Sequence, residues 1–262
     1  MKRDGEACYR PVSDGVYDPT VHAQGAWSPH EQHMAPMAGL IAHEVERFAP
    51  RDGMQIVKLG YEILGFMPLE RTTVQVSLQR PGKTIEQLAF TATVADREVV
   101  RGTAWRLLGN DTSVVAGSHE RALPRPDELP ELNFRGTWGG GYIESLQIRA
   151  ERGVPGRNQA WLNTEQALVQ GVESGPVAEY VRLVDTANGV ATRVDPGEWM
   201  FPNVDLVIHL WRRPDPAWVG LDTMVSYGPA GVGLTSSTLH DVHGPLGRAE
   251  QVLTVRPMPQ RP

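Results

Sequence analysis

Asp185 is the residue best placed to do acid–base chemistry in this sequence. It lies near the end of a predicted helix that starts with Pro176 in its first turn, after Ser174 as the predicted cap. Apolar residues recur along that helix every three to four positions, at Val177, Tyr180, Val181, Val184 and Ala187. Residues 188–189, Asn-Gly, are typical of a helix end, and residues 204–210 have the pattern of a strand. The pattern predicts a carboxylate directed toward a sheet; the alternative is an Asp that only ends a helix.

Other candidate groups are weaker. Asp205 and His209 stand four residues apart on a predicted strand, about 13 Å from each other, which argues against an acid–base pair and favours a strand-start role for Asp205. Cys8 is the single cysteine and lies in a polar tail, so we expect an incidental thiol. Residues 139–141 are three glycines, but they lack the Lys and the strand-to-helix setting of a phosphate-binding loop, which favours a close-packed strand entry. No Gly-x-Ser-x-Gly elbow is present.

Composition restricts the partners and the compartment. The chain has 262 residues, 40% hydrophobic and 21% charged, with a net charge of −6 and no Lys/Arg-rich cluster, which argues against nucleic acid as a partner. The basic start is not followed by an apolar stretch, and no run of about 18 apolar residues occurs. One cysteine suits a reducing compartment. We therefore expect a cytoplasmic protein without a membrane partner.

The elements that must position Asp185 follow a plan that occurs twice. In the first half, residues 15–27 can form a strand, residues 36–48 have helical periodicity up to Ala49-Pro50, and four strands follow at 55–64, 72–79, 85–96 and 99–108. The polar, proline-containing segment after them predicts a linker. The second half continues with strands near 142–150 and 159–163, the helix at Pro176, and strands at 204–212, 218–227, 232–240 and 246–255. We expect domains at 1–109 and 135–262, joined by the linker 110–134.

A weak internal repeat supports that plan. Residues 82–108 align with 231–255, which places Trp105 opposite Gln251 and predicts a single working site, because an indole cannot hold a water as an amide can. A helix wrapped by a long antiparallel sheet, present twice, is the hot-dog arrangement duplicated in one chain. The predicted fold class is α+β: a double hot-dog with two antiparallel sheets, each wrapped on a central helix.

Four stretches, residues 25–47, 183–190, 202–213 and 246–256, resemble the double hot-dog acyl-CoA thioesterases, a family that includes the bacterial medium-chain type II enzymes. The resemblance implies that Asp185, Asn203 and Gln251 hold a hydrolytic water, with Asp185 as the base. Asn203 stands where the medium-chain enzyme has Thr. The resemblance also implies direct hydrolysis of an acyl-CoA with neither a metal nor a cofactor. Asn203 can instead be a strand-entry residue, and Gln251 an outward polar residue of its strand.

Two more residues are candidate substrate contacts. His33 precedes the first helix and can touch the substrate or an oxyanion, although a capping or packing role is the alternative. Gly141, the last of the three glycines, is the second candidate.

Two other functions stay open beside acyl-CoA hydrolysis within fatty acid metabolism: a non-catalytic acyl-thioester binding protein, and an enoyl-thioester hydratase. The discriminating feature is whether Asp185, Asn203 and Gln251 converge on one cavity. A duplicated chain can close its own hot-dog pair and can assemble further into a homo-oligomer.

Overall fold

The first half of the chain is one long helix and six antiparallel strands. A computed structural model of the protein describes residues 7–134, 136–151 and 153–259. Only Val16–Pro19 of the first predicted strand is extended; a 3₁₀ turn, Val21–Ala23, follows it. The predicted helix and the four strands after it are present. The elements are β1 Tyr9–Ser13, β2 Val16–Pro19, α1 Met34–Arg47, β3 Met54–Ile63, β4 Thr72–Arg80, β5 Ile85–Val94 and β6 Arg97–Leu108.

The second half repeats the strands but breaks its helix. Residues 142–150, predicted as a strand, begin with a helical turn and become extended only at Leu146. A 3₁₀ turn, Val184–Thr186, separates two short helices where one was predicted. The elements are α2 Gly141–Glu144, β7 Leu146–Ala150, β8 Arg157–Thr164, α3 Pro176–Val181, α4 Ala187–Val190, β9 Trp199–Met200, β10 Asp205–Leu210, β11 Val219–Tyr227, β12 Val232–Asp241, β13 Gly244–Thr254 and β14 Arg256–Pro257.

The two predicted sheets are joined into one. Twelve strands form a continuous sheet in the order β1-β2-β4-β5-β6-β3-β10-β13-β12-β11-β8-β7. The junction is the antiparallel pair β3–β10, in which Leu59 faces Ile208. Because an unpaired edge strand leaves its backbone groups without partners, joining the two halves edge to edge satisfies both edges at once. The expectation of two separate sheets is therefore corrected to one sheet that both halves share.

The helices of the two halves, α1 and α3, pack against each other. Gly39 of α1 meets the residue that follows α3: a Cβ built on Gly39 would lie 2.4 Å from Cβ of Arg182. Glycine is therefore required at the crossing. Most residues of α1 are buried, so the apolar stripe predicted from the sequence does face the core.

The start of α3 is capped from the other half of the chain. Gly175, not Ser174, is the N-cap residue, and it makes no side-chain cap. The carboxylate of Glu46, on α1, accepts hydrogen bonds from the backbone N–H groups of Val177 and Ala178, at 3.2 and 2.9 Å. A carboxylate at a helix N-terminus accepts hydrogen bonds from free N–H groups and interacts favourably with the positive end of the helix dipole. The predicted Ser174 cap is thus replaced by a contact between the halves.

The described residues between β6 and α2, 109–134 and 136–140, form no strand or long helix. They contain two 3₁₀ turns, Ser113–Val115 and Pro126–Glu128, and their later part pairs with β7 through a bridge between Glu131 and Arg149. We retain the division into 1–109, 110–134 and 135–262 as a proposal. In the described ranges, no helix is both long enough and apolar enough to cross a membrane.

The hairpins β5–β6 and β12–β13 correspond residue by residue. Each has a register irregularity near its turn, at Ala92/Thr93 in the first half and at Leu239/His240 in the second. Counted from the turn, Ala104 is the eighth residue of β6 and Gln251 is the eighth of β13. Ala104, not Trp105, is therefore the counterpart of Gln251. A shift of one residue changes the face of the sheet, and Trp105 lies on the other face, with Arg80 over its ring.

Candidate functional site

Asp185 is held by two side-chain amides. It lies in the 3₁₀ turn between α3 and α4, and its side chain is buried. Its Oδ1 accepts a hydrogen bond from Nδ2 of Asn203 and another from Nε2 of Gln251, both at 2.8 Å. The three side chains that were expected to form one site therefore meet. The helix-ending role is not the whole account of Asp185, because its carboxylate faces side chains of the sheet.

The sheet sets the positions of both amides. Gln251 is buried on β13, and Asn203 precedes β10 and bridges to Leu253 of the same β13 strand. Asn203 Nδ2 also donates to the backbone oxygen of Asp205 at 3.0 Å, which fixes the rotamer of the amide. Asn203 is thus a strand-entry residue that also reaches Asp185, whereas Gln251 points inward, not outward.

Burial and the two amides act in opposite directions on Asp185. The pKa of Asp185 is raised to about 7, because burial raises it by more than the hydrogen bonds from Asn203 and Gln251 lower it. The net result is a carboxyl group that is about half ionised at neutral pH. A group with a pKa near the working pH is suited to take up and release a proton.

His33 brings the first half of the chain to the carboxylate. It is the N-cap of α1: its Nδ1 accepts a hydrogen bond from the backbone N–H of Ala35 at 3.0 Å and lies 3.6 Å from Oδ2 of Asp185. Its ring packs against Tyr142, with the ring centroids 4.4 Å apart. Burial lowers the pKa of His33 to about 3, so the imidazole is neutral. Since Nδ1 accepts, the proton is on Nε2, which is a hydrogen-bond donor.

A cavity of about 360 Å³ opens at this cluster. Asp185, Asn203 and His33 line it together with the start of α1 at Met34, whereas Gln251 stays behind Asp185. The remaining wall is mainly apolar, and Arg256 brings a positive charge to the lining. The site thus combines a titratable carboxyl, a neutral donor and a helix N-terminus around one space of ligand size.

Gly141 does not belong to that lining. Its N–H donates to Oε1 of Gln24 at 3.1 Å, and a Cβ on Gly141 would lie 2.1 Å from the backbone oxygen of Val21. Its place is a tight contact between the start of α2 and the 3₁₀ turn Val21–Ala23. The expectation of a substrate contact is therefore corrected in favour of the close-packing alternative, here at a helix entry.

Three other candidates have structural roles. Asp205 Oδ1 accepts from the backbone N–H of Val252 at 2.6 Å, and His209 is exposed on β10, so the two do not form an acid–base pair. Cys8 is fully buried, not in a loose tail: Arg182 Nη2 donates to its Sγ at 3.2 Å. In the described ranges, no group of three or more His, Cys, Asp or Glu side chains can hold a metal ion.

The polar residues of the lining that were missed from the sequence include Glu31, Asn188 and Arg256. Asn188 follows Asp185 by three residues, a spacing that places two helical side chains on one face and could have indicated it. Arg256 lies in β14, beyond the last predicted strand, and had no local signal.

Comparison with known proteins identifies the chain's relatives. Residues 23–107 match the family model of the acyl-CoA thioesterase N-terminal domain, and residues 126–255 match that of the acyl-CoA thioesterase C-terminal domain. No curated protein matches the sequence.

Solved structures share the fold at low identity. A hot-dog-fold protein of unknown function from Alicyclobacillus acidocaldarius is 11% identical, with a TM-score of 0.74 over 93% of each chain. An acyl-CoA thioesterase II from Mycobacterium marinum is 15% identical, with a TM-score of 0.66 over 97% of each chain. The dehydratase domain of the curacin polyketide synthase is 12% identical, with a TM-score of 0.54 over 95% of each chain. The fold is therefore hot-dog, and with both halves matched by its models, the chain belongs to the acyl-CoA thioesterase family.

Proposed function

We propose that the protein is an acyl-CoA thioesterase that hydrolyses its substrate to a free acid and CoA with a water activated by Asp185. The observation that carries the proposal is the meeting of two amides on Oδ1 of a carboxyl group whose pKa is about 7, at the wall of a cavity. The amides occupy one carboxylate oxygen and hold its orientation. Among the described residues, no hydrogen bond reaches Oδ2, which remains to bind water.

The first step is attack of water on the thioester carbon. The water donates a hydrogen bond to Oδ2 of Asp185, and as its oxygen bonds to the carbonyl carbon, its proton passes to the carboxylate. The electron pair of the C=O bond moves to the carbonyl oxygen and forms a tetrahedral oxyanion. A thioester is already electrophilic, so holding the water in line provides much of the required acceleration.

The oxyanion needs donors that are present before it forms. We assign this role to Nε2–H of His33 and to the N-terminus of α1 at Met34, which line the same cavity. A helix of fourteen residues presents the positive end of its dipole there. His33 serves in this role as a neutral donor, since its pKa lies far below the working pH.

The second step breaks the C–S bond. The electron pair of the oxyanion re-forms C=O, the thiolate of CoA leaves, and it takes up the proton from Asp185. The carboxylate is restored, no acyl-enzyme forms, and neither a metal nor a cofactor enters the reaction. The proposal includes acyl-CoA as the bound molecule, a cytoplasmic location within fatty acid metabolism, and assembly into a homo-oligomer; it includes neither nucleic acid nor membrane.

A non-catalytic acyl-thioester binding protein is the alternative. It is disfavoured because a binding role gives no reason to bury a carboxyl group and to place two amides on it, at a cost in stability. The separate positions of Asp205 and His209 exclude that pair as a hydratase site. A hydratase on this fold would have to use Asp185 with His33, whose Nδ1 lies 3.6 Å from Oδ2 of Asp185 and is already engaged by the backbone N–H of Ala35.

The test is thiol release from a panel of acyl-CoAs, from short to long and including aromatic acyl groups, by the wild type and by Asp185→Asn. We expect the wild type to hydrolyse at least one member and the folded variant to lose about 10²- to 10⁴-fold in rate, the range for a general base. A wild type that binds acyl-CoA but releases no thiol would establish the binding alternative. A variant that keeps the wild-type rate would remove Asp185 as the base.

A further inference from the structure

Two more cavities continue the catalytic one on the side of the second domain. A narrow space of about 20 Å³, room for about one water, shares Trp27, His33 and Asn188 with the catalytic cavity. Beyond it, a cavity of about 470 Å³ shares Phe134, Trp138 and Ile143 with the narrow space. The three spaces thus form a series that starts at Asp185, and the narrow middle space separates the two large ones.

The indole of Trp138 is one of the three side chains, with Phe134 and Ile143, that line both the narrow space and the outer cavity. Its Nε1 donates to the backbone oxygen of Gly189 at 3.3 Å, so the ring lies against α4, about one helical turn from Asp185. It also packs at right angles to Trp27, with the ring centroids 5.0 Å apart. A hydrogen-bonded ring with aromatic support is a fixed wall, not a mobile surface side chain.

The backbone around Trp138 does not depend on its side chain. Gly136 and Gly140 have φ angles of +90° and +98°, a region that favours glycine, and the N–H of Trp138 donates to the backbone oxygen of Phe134 at 3.1 Å. A smaller residue at position 138 is therefore compatible with the same loop path. Its effect would be to connect the two large cavities.

The two ends of the catalytic cavity differ in character: one has the positive charge of Arg256 and the other is aromatic. Arg256 lines the cavity together with Thr254, to which it donates a hydrogen bond at 2.9 Å, and this is the end suited to the phosphates of CoA. Trp27 lines the same cavity and the aromatic side leads on to Trp138, which suits an apolar acyl chain.

We infer that Trp138 ends the acyl slot and sets the longest acyl group that the protein accepts. The inference rests on the proposed function for its substrate class. It assigns to Trp138 a role in specificity and none in the bond-breaking step. Acyl groups that reach Trp138 fill the slot; longer ones meet the indole and lose the gain of about fourfold in affinity that each further buried methylene supplies.

The experiment compares thiol release, as kcat/KM, along a saturated series from acetyl-CoA to hexadecanoyl-CoA for the wild type, Trp138→Phe and Trp138→Ala. Trp211→Ala, at an exposed tryptophan outside these cavities, is the matched control. We expect Trp138→Ala to raise the ratio of kcat/KM for dodecanoyl-CoA to that for butanoyl-CoA by tenfold or more, Trp138→Phe to raise it less, and Trp211→Ala to leave it unchanged. An unchanged ratio in a folded Trp138→Ala protein would overturn the inference.

A second readout separates this inference from the proposed function. Binding of non-hydrolysable thioether analogues of the same series is measured by calorimetry for the wild type and Trp138→Ala. If thiol release is absent from all proteins but the analogues show the chain-length shift, the inference stands and the hydrolytic function falls. If hydrolysis occurs and neither ratio shifts, only the inference falls. If no analogue binds and no protein releases thiol, both fall.

Discussion

Two carboxyl groups, the buried Asp185 and the partly buried Glu46, lie at opposite ends of the contact between α1 and the second-half helices and have different surroundings. Asp185 accepts hydrogen bonds from two side-chain amides on Oδ1 and lines a cavity of about 360 Å³. Glu46 has both oxygens engaged by the backbone N–H groups that begin α3, and it lines a space of only about 150 Å³. Burial raises the pKa of each.

The strands explain the difference. In the first half, Ala104 occupies the position that Gln251 has in the second half. Ile56 occupies the position of Asn203: Ile56 pairs with Arg106, as Asn203 bridges to Leu253. Arg106 and Glu86 form an ion pair beside this closed end. The same arrangement of strands is thus present in both halves, but only the end at Asp185 has side-chain amides on its carboxyl group and the larger cavity. The fold supplies the position, and a few side chains decide whether it can do chemistry.

The first prediction tests the difference between the two carboxyl groups by removing one of the two amides that bind Asp185. Gln251→Leu leaves Asp185 with a single amide donor, so we expect about a 10²-fold loss in kcat/KM and a rise in the pH at which the rate is half-maximal, because the lost hydrogen bond had lowered the pKa of Asp185. The measurement is the pH–rate profile of the variant beside that of Gln75→Leu, an exposed glutamine in the first half. A profile that loses rate without moving on the pH axis would mean that Gln251 only supports packing.

The pH dependence of the wild type sharpens the comparison. With the pKa of Asp185 at about 7, kcat/KM should rise about tenfold from pH 6 to pH 8 and then level off. His33 should add no second change in that window, since its pKa is about 3. A flat profile across this range would show that no group with such a pKa controls the reaction.

The stability of Asp185→Asn has a smaller expected effect. The folded-state pKa of Asp185 is raised above the unfolded value of about 4, so ionisation costs stability as the pH rises from about 4 to about 7. Removing the charge should therefore raise the free energy of unfolding by about 1–2 kcal/mol at pH 8, which is less than the full free energy that corresponds to the pKa shift. At pH 4 the free energy of unfolding should change little. Urea titrations at both pH values check this. A variant that is less stable at pH 8 than the wild type would contradict the assigned pKa direction.

Local patterns predicted most of the elements and part of the site. The periodicity of α1 and the turn residues of the hairpins placed those elements within a few residues, because both signals are local. The meeting of Asp185, Asn203 and Gln251 was expected only from the resemblance to a family, since the three residues lie far apart in the chain.

The errors with the largest consequences concern contacts between distant parts of the chain. Pairing of β3 with β10, the cap that Glu46 supplies to α3, and the burial of Cys8 by Arg182 depend on which distant segments meet, and no local pattern contains that information. The assignment of Trp105 as the counterpart of Gln251 failed by one residue. In a strand, one residue is the difference between the two faces of the sheet.

The most direct test of the central claim compares Asp185→Asn with Glu46→Gln for thiol release from the acyl-CoA that the wild type hydrolyses best, at pH 8 and with the folding of each protein verified. Both variants replace a carboxyl group by an amide at opposite ends of the same contact between helices; Asp185 is buried and Glu46 is partly buried. Our account predicts a loss of at least 10²-fold for Asp185→Asn and a rate within about twofold of the wild type for Glu46→Gln. Equal losses in the two variants, or a larger loss for Glu46→Gln, would contradict it.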